Sequence, residues 1–280
     1  MRAGPGYSAL VADSPTDARV FRVEFLGETD STNRDLVRRA RDGAEEGLVL
    51  VADHQTAGRG RSDRPWVDSP GASLLMSVLL RPRTRADRLH LFGTSLALAA
   101  RSAAETFRAG GDGGVPVTIG LKWPNDLVVF NSADGPWRKL AGVMAETDLE
   151  GSRVSWLVLG LGVNLDPPRL ADGQAGLDPV GLNELAGRAV SRDALLEAVL
   201  AELEIRLGLI AAGAGGWILR EARRESAVLG RTVTVEEADG TLVGTAVDID
   251  RAGRLVIRSG GVITPLTTGD VSRLRPAVEF

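Results

Sequence analysis

The sequence predicts a domain that mixes helices and strands, followed by a small antiparallel β-barrel. Three observations carry that expectation. From Phe21 onward, apolar runs alternate with segments whose apolar residues recur at helical spacing. After Glu225 the chain turns to short, β-rich runs separated by turn residues. Its 280 residues, 44% of them hydrophobic, suffice for one sizeable core and allow two domains.

Residues 1–20, rich in Gly, Pro, Ser and Asp, read as a flexible tail. "VFRVEFLGE" alternates as a strand does, and "DSTNRDLVRRARDG" has the capping residues and closing Gly43 of a short helix. "GLVLVAD" and "SLLMSVLLRP" are buried-strand patterns, and "ADRLHLFGTSLALAARSAAETF" is a helix that should pack on the sheet. Four strand-like runs follow, "TIGLKW", "DLVVF", "RKLAGVMAETDLE" and "SWLVLGLGVNL", with "NSADGPW" as a turn. Asp166 to about Arg188 reads as loop, and "SRDALLEAVLAELEIRLGLI" as a long helix capped by Ser191. In the last segment, turns at "ADG", "RAG" and "SGG" suit a small barrel that needs support from the larger domain. The expected division is therefore a tail at 1–20, a larger domain at 21–225 and a β-module at 226–280.

Composition removes several functions. Without cysteine there is no disulfide, thiolate metal site or thiol nucleophile. His54 and His90 are the only histidines, too few for a His-rich metal centre. A metal here would be a hard ion on oxygen ligands, such as Mg²⁺ accompanying phosphate. The net charge of −4 argues against a protein that coats nucleic acid. The N-terminus lacks a signal-peptide core, and charged residues interrupt the longest apolar stretch, so the cytoplasm is the expected location and no membrane is involved.

Against that acidic balance, "DHQTAGRGRSDRPW" gathers Arg59, Arg61 and Arg64 around Gly58 and Gly60 and ends at Trp66. Three more clusters accompany it: "STN" at Ser31–Asn33, "KWPND" at Lys122–Asp126, and "RKLAGVMAE", where Lys139 enters an apolar strand. Each alone has a plain explanation, respectively a solvated loop, a helix cap, a strand-ending turn and an edge charge. As an ordered set, with "GLGVNL" added, they closely resemble biotin protein ligases over about Phe21 to Arg275. The resemblance implies an α+β catalytic domain related to class II aminoacyl-tRNA synthetases, a mixed sheet with packed helices, followed by an SH3-like β-barrel.

It also implies the chemistry. Biotin's carboxylate attacks the α-phosphate of ATP, giving biotinyl-5′-AMP and pyrophosphate. A lysine of the biotin carboxyl carrier protein or domain of acetyl-CoA or propionyl-CoA carboxylase then takes the biotinyl group. Two like charges about 4 Å apart repel by roughly 4 kcal/mol at an effective dielectric near 20, or about three orders of magnitude in rate. Fixed cations remove that penalty, and the guanidinium fork suits phosphate and carboxylate alike.

By resemblance, Ser31, Thr32, Asn33 and Gln55 surround the ureido ring, and Gly142 lets biotin lie against the strand. Gly58 and Gly60 belong to the biotin site and let backbone N–H groups approach the same oxygens as the arginines. Arg59 and Arg61 contact biotin and the adenylate phosphate, and Lys139 sits between carboxylate and α-phosphate. Trp66 covers the adenine, while Arg64, Asn125 and Asn164 belong to the nucleotide side. Asp126 is the candidate for Mg²⁺ and for orienting the incoming lysine. Lys139, Arg61 and Asp126 are thus the candidate catalytic residues. Arg275 lies in "VSRLRP", similar to a family segment that approaches nucleotide.

Two departures stand out. Asp63 replaces a glycine common in the family's loop, removing φ > 0 freedom and adding a negative charge beside Arg64. The stretch before Phe21 is too short for the helix-turn-helix of the bifunctional members, so a ligase without a DNA-binding domain or repressor role is expected. A homodimer is possible in such a family. The competing readings are a lipoate-type ligase of the same fold and a non-enzymatic nucleic-acid binder.

Overall fold

A computed structural model describes residues 21–61, 64–109, 117–132, 135–168, 177–237 and 240–273. The expected tail at 1–20, Asp63 and Arg275 lie outside the described residues.

The larger sheet has seven strands: β1 (Arg22–Thr29), β2 (Leu48–Gln55), β3 (Ser73–Leu80), β4 (Thr118–Lys122), β5 (Asp126–Phe130), β6 (Arg138–Glu150) and β7 (Arg153–Asn164). Their order is β1-β2-β3-β7-β6-β5-β4. The β1–β2 pair is parallel and its connection carries helix α1 (Thr32–Arg41); all other pairs are antiparallel. The mixed sheet with packed helices is the architecture the resemblance implied.

Side-chain alternation divides the two faces. Leu74, Met76, Val78, Leu157, Leu159 and Leu161 point into the main core, beneath α2 (His90–Ala109) and α4 (Arg192–Ala211). Leu48, Leu50, Leu79, Trp156 and Val158 point to the other face, where Leu36, Val37 and Ala40 of α1 cover them. As expected, α4 begins at Ser191, whose Oγ accepts the Ala194 N–H at 3.3 Å.

The structure differs from the sequence reading in two places. The loop expected from Asp166 to Arg188 contains a short helix, α3 (Leu182–Ala186), ended by Gly187 at φ 65°. A further helix, α5 (Gly216–Arg224), lies in a stretch where no element was expected. It buries Ile218, Leu219 and Ala222, but it is only nine residues long and opens among Gly213, Gly215 and Gly216, which read as loop.

The C-terminal strands β8 (Thr232–Glu237), β9 (Gly240–Ile249), β10 (Leu255–Ser259), β11 (Val262–Leu266) and β12 (Asp270–Arg273) form an antiparallel sheet ordered β11-β10-β9-β8-β12. Its core of Val233, Val235, Ala246, Leu255, Ile257 and Val271 is continuous with Trp123, Val128 and Trp137 of the larger domain. Trp123 Nε1 also donates to the Gly253 carbonyl at 3.0 Å, and Arg223 pairs with Asp248 at 2.6 Å. The small β-domain is thus supported by the larger one, as its size requires.

Candidate active site

The pocket opens on the face that carries α1, beyond the end of the helix. Along β7, Trp156 and Val158 fill the space under α1, and the same alternation then brings Gly160 and Gly162. A methyl group at Gly160 would lie 2.1 Å from Asn33 Oδ1, and one at Gly162 would lie 2.5 Å from the Trp66 ring. These glycines therefore open the floor on which Asn33 and Trp66 rest.

Strand β6 supplies the opposite wall through a bulge. Leu127 pairs with Ala141 but Val128 pairs with Lys139, so Leu140 is the extra residue. Without it, Lys139 and Gly142 would face opposite sides, being three residues apart; the bulge turns both toward the pocket. The Lys139 backbone is also held by Asp178 and Val180, through bonds of 2.7 and 2.9 Å.

Of the residues named from sequence, Ser31, Thr32, Asn33, Gln55, Arg59, Gly60, Arg61, Trp66, Asn125, Lys139 and Gly142 line one cavity of about 60 Å³. Met76, Val143, Met144, Gly160, Leu161 and Gly162 complete it. Gly58 lies in the loop stem, its carbonyl accepting the Trp66 N–H at 2.9 Å. Asn164 is buried behind the wall, donating to the Lys139 carbonyl at 3.2 Å. Arg64 points away and meets Asp270 of β12 at 2.5 Å.

One end of the pocket is neutral and polar. Ser31, at the start of α1, makes no side-chain cap, so the plain helix-cap explanation of "STN" does not hold for it. Gln55 Oε1 accepts both the Thr32 N–H, at 2.8 Å, and the Thr32 hydroxyl, at 3.0 Å. Ser77, fully buried on β3, contacts Thr32 Oγ1 at 2.8 Å and Asn33 Oδ1 at 2.6 Å.

The other end is charged. Lys139 Nζ lies 2.8 Å from Asp126 and 5.4 Å from the centre of the Trp66 ring. Asp126 is also 3.6 Å from Lys122, which is buried and pairs with Asp270 at 2.9 Å. Arg61 donates to Asn125 Oδ1 at 3.3 Å, and Asn125 is locked by mutual bonds with the Val143 backbone. Burial pulls the Arg61 guanidinium below its ordinary range, opposed by the charges of Asp126 and Asp270. Burial also opposes ionisation of Asp270, but Lys122 and Arg64 outweigh it and hold that carboxyl below the usual range.

Asp126 fits poorly as a direct Mg²⁺ ligand, because each of its oxygens faces an ammonium group. Among the described residues no three carboxylate or imidazole groups cluster to hold a metal. The sequence reading missed Ser77, Glu146, Lys122 and Asp270 as parts of this arrangement. Lys122 and Glu146 stood inside motifs already quoted, without an assigned partner. Ser77 and Asp270 carried no local signal.

Fold and pocket together define a class: a mixed-sheet domain with an attached β-domain, whose cavity suits a small molecule that is neutral and polar at one end and acidic at the other. Residues 26–164 match the Biotin/lipoate A/B protein ligase family, and residues 228–274 match the Biotin protein ligase C terminal domain. The chain is 35% identical to the Biotin–[acetyl-CoA-carboxylase] ligase of Mycobacterium tuberculosis, over 93% of this chain and 97% of that protein. It is 28% identical to the Bifunctional ligase/repressor BirA of Escherichia coli, over 89% of this chain and 73% of that protein. The solved biotin protein ligase from Aquifex aeolicus in complex with biotin and ATP superposes with TM-score 0.71 at 26% identity, covering 90% of this chain and 97% of that one. The chain belongs to the biotin protein ligase family.

Proposed function

We propose that the chain is an ATP-dependent ligase that activates biotin as biotinyl-5′-AMP and transfers it to a lysine of a biotin carboxyl carrier domain. One observation carries this reading. Lys139 and Arg61, from a bulged strand and a glycine-rich loop, converge on the same cavity as the neutral polar wall of Thr32, Asn33 and Gln55. A ureido ring needs the polar wall, since each unmet hydrogen bond of a buried polar group costs about 1–3 kcal/mol. A carboxylate approaching a phosphate needs the cations.

In the first step a carboxylate oxygen bonds to the α-phosphorus and pyrophosphate leaves. Lys139 would neutralise the meeting oxygens, and Arg61 the charge that develops on phosphorus. Lys139 now spends its charge on Asp126, so arrival of the anions exchanges one partner for another. In the second step the carrier amine attacks the acyl carbon, the acyl–phosphate bond breaks and AMP leaves. Asp126, freed from Lys139, is placed to orient that amine. Mg²⁺ would enter on the triphosphate, whose oxygens supply the ligands that Asp126 does not. The cavity of about 60 Å³ is far below the roughly 300 Å³ of ordinary ligand sites, so groups that line it must move apart for substrates to enter.

The catalytic residues are assigned to residues 21–225 and the β-module to 226–280. An acetyl-CoA or propionyl-CoA carboxylase subunit is the proposed acceptor, and the cytoplasm the proposed location. Among the described residues no helix is long and apolar enough to cross a membrane. Biotin-dependent exchange of pyrophosphate into ATP, followed by biotinylation of a carrier domain, tests the reading. Exchange that requires lipoate instead would favour the related ligase, and none with either acid would overturn the assignment.

A further inference from the structure

Glu146 ends the "KLAGVMAE" motif, yet it does not line the cavity and has no part in the steps above. Through the alternation of β6 it faces the same side as Gly142 and Met144, in register with Val158 under α1. There its Oε1 accepts Asn33 Nδ2 at 3.2 Å, and its Oε2 lies 3.8 Å from Arg59. With Ser77, Thr32 and Gln55 this forms a ring of contacts: Arg59, Glu146, Asn33, Ser77, Thr32, Gln55. Ser77 donates its one proton to Asn33 Oδ1 and Thr32 donates its own to Gln55 Oε1, so the 2.8 Å Ser77–Thr32 approach is a contact without a proton between the oxygens. Gln55 and Arg59 are four residues apart on the same loop stem, so the chain itself completes the ring. Only Ser77 and Glu146 stand outside the cavity lining.

The polarity of this ring is set at two points. A backbone N–H only donates, so the Thr32 N–H requires oxygen at the inner end of the Gln55 amide. An ionised carboxylate only accepts, so Glu146 requires nitrogen on its side of Asn33 and leaves Oδ1 for Ser77. An uncharged, donating partner in place of Glu146 would let the Asn33 amide turn over, reversing which group it offers to the cavity.

We infer that Glu146 is a positioning residue for biotin, acting through Asn33 and Arg59, and that it couples the ureido wall to the arginine loop. This rests on the biotin-ligase reading. It predicts a particular kinetic signature, because the wall is used in binding biotin and the carboxylate end in chemistry.

Four full-length proteins, wild type, Glu146→Gln, Ser77→Ala and the double variant, are compared by biotin-dependent pyrophosphate exchange and by biotin calorimetry, with circular dichroism as a check of folding. Glu146→Gln is isosteric and its site is part-exposed, which favours an intact fold. The expected result is a KM for biotin raised about tenfold in each variant with the KM for ATP unchanged, and a double variant that loses less than the product of the two, as members of one ring should. Transfer from isolated biotinyl-adenylate should keep its kcat in Glu146→Gln. An unchanged KM for biotin in folded Glu146→Gln overturns the inference, as does an equal fall in kcat for both half-reactions without a KM change. Should Glu146→Gln misfold, Ser77→Ala decides by the same KM criterion. Wild-type protein that shows neither exchange nor biotin heat overturns the ligase reading itself, a result distinct from either variant's.

Discussion

The two ends of the cavity are built by opposite means. At the polar end, the Thr32 N–H and hydroxyl are paired with Gln55 and the Ser77 hydroxyl with Asn33, so the wall is held in place before any ligand arrives. At the charged end, Lys139, Asp126, Lys122, Asp270 and Arg64 form a string of alternating charges whose pairings an incoming anion must exchange. Selection of a neutral ring depends on geometry held beforehand. Acceleration of an anion–anion reaction depends on cations that can be redirected when the substrates are in place.

The largest effect should come from the charged end. Lys139→Ala should lower adenylation by about three orders of magnitude, the cost of leaving the two anions unscreened. Circular dichroism should stay native, and near-normal pyrophosphate exchange would refute the role. Next, Arg61→Ala should slow adenylation by roughly 10²-fold, as loss of one oriented donor does elsewhere. It should also let the adenylate escape, measured as free biotinyl-AMP in filtrates; full retention would separate the loop from closure.

Breaking the polar end should be milder and of a different kind. Gly160→Ala places a methyl group 2.1 Å from Asn33 Oδ1 and must displace that amide. The KM for biotin should rise about tenfold, the equivalent of roughly 1.4 kcal/mol, while the KM for ATP holds. A rise in both would blur the distinction between the two ends.

The smallest effects concern pH. The Asp270 carboxyl is held below its usual range, so its contribution to stability is complete above the ordinary carboxylate pKa and fades as pH falls through the lower folded value. Asp270→Asn should therefore melt roughly 2 °C lower at pH 7, with the gap to wild type closing in acid. His90, half-buried against the Gly253 turn, is pulled below the ordinary histidine range by desolvation, which its contacts with Asp87 and Arg251 only partly offset. Acidification through that range protonates the unfolded chain first and so destabilises the fold. His90→Gln should flatten this part of the stability curve, and an unchanged slope would place the acid sensitivity elsewhere.

Much of this was legible in the residues. Strand and helix periods located most of the secondary structure, because apolar burial imposes periods of 2 and 3.6. Helix α5 escaped because it is only nine residues long and opens among Gly213, Gly215 and Gly216, residues that read as loop. The clusters around Asn33, Arg61, Asn125 and Lys139 were visible because arginine, lysine and amides in glycine- or proline-bearing segments are uncommon as plain scaffold. Ser77 was not, since a serine inside "SLLMSVLL" looks like any small strand residue until Asn33 is placed over it. Asp270 was invisible for another reason: its partners, Lys122 and Arg64, are 148 and 206 residues away.

The sequence alone determined most of the elements, the kinds of charge available and the absence of thiol chemistry, since these follow from residue type and short-range spacing. Only the tertiary structure decided that the Leu140 bulge turns Lys139 and Gly142 to one side, that Glu146 and Ser77 set the direction of the polar ring, and that Asp270 joins the small domain to the charged string. Strand register and domain docking are sums over many long-range contacts, and no local stretch of residues carries that information.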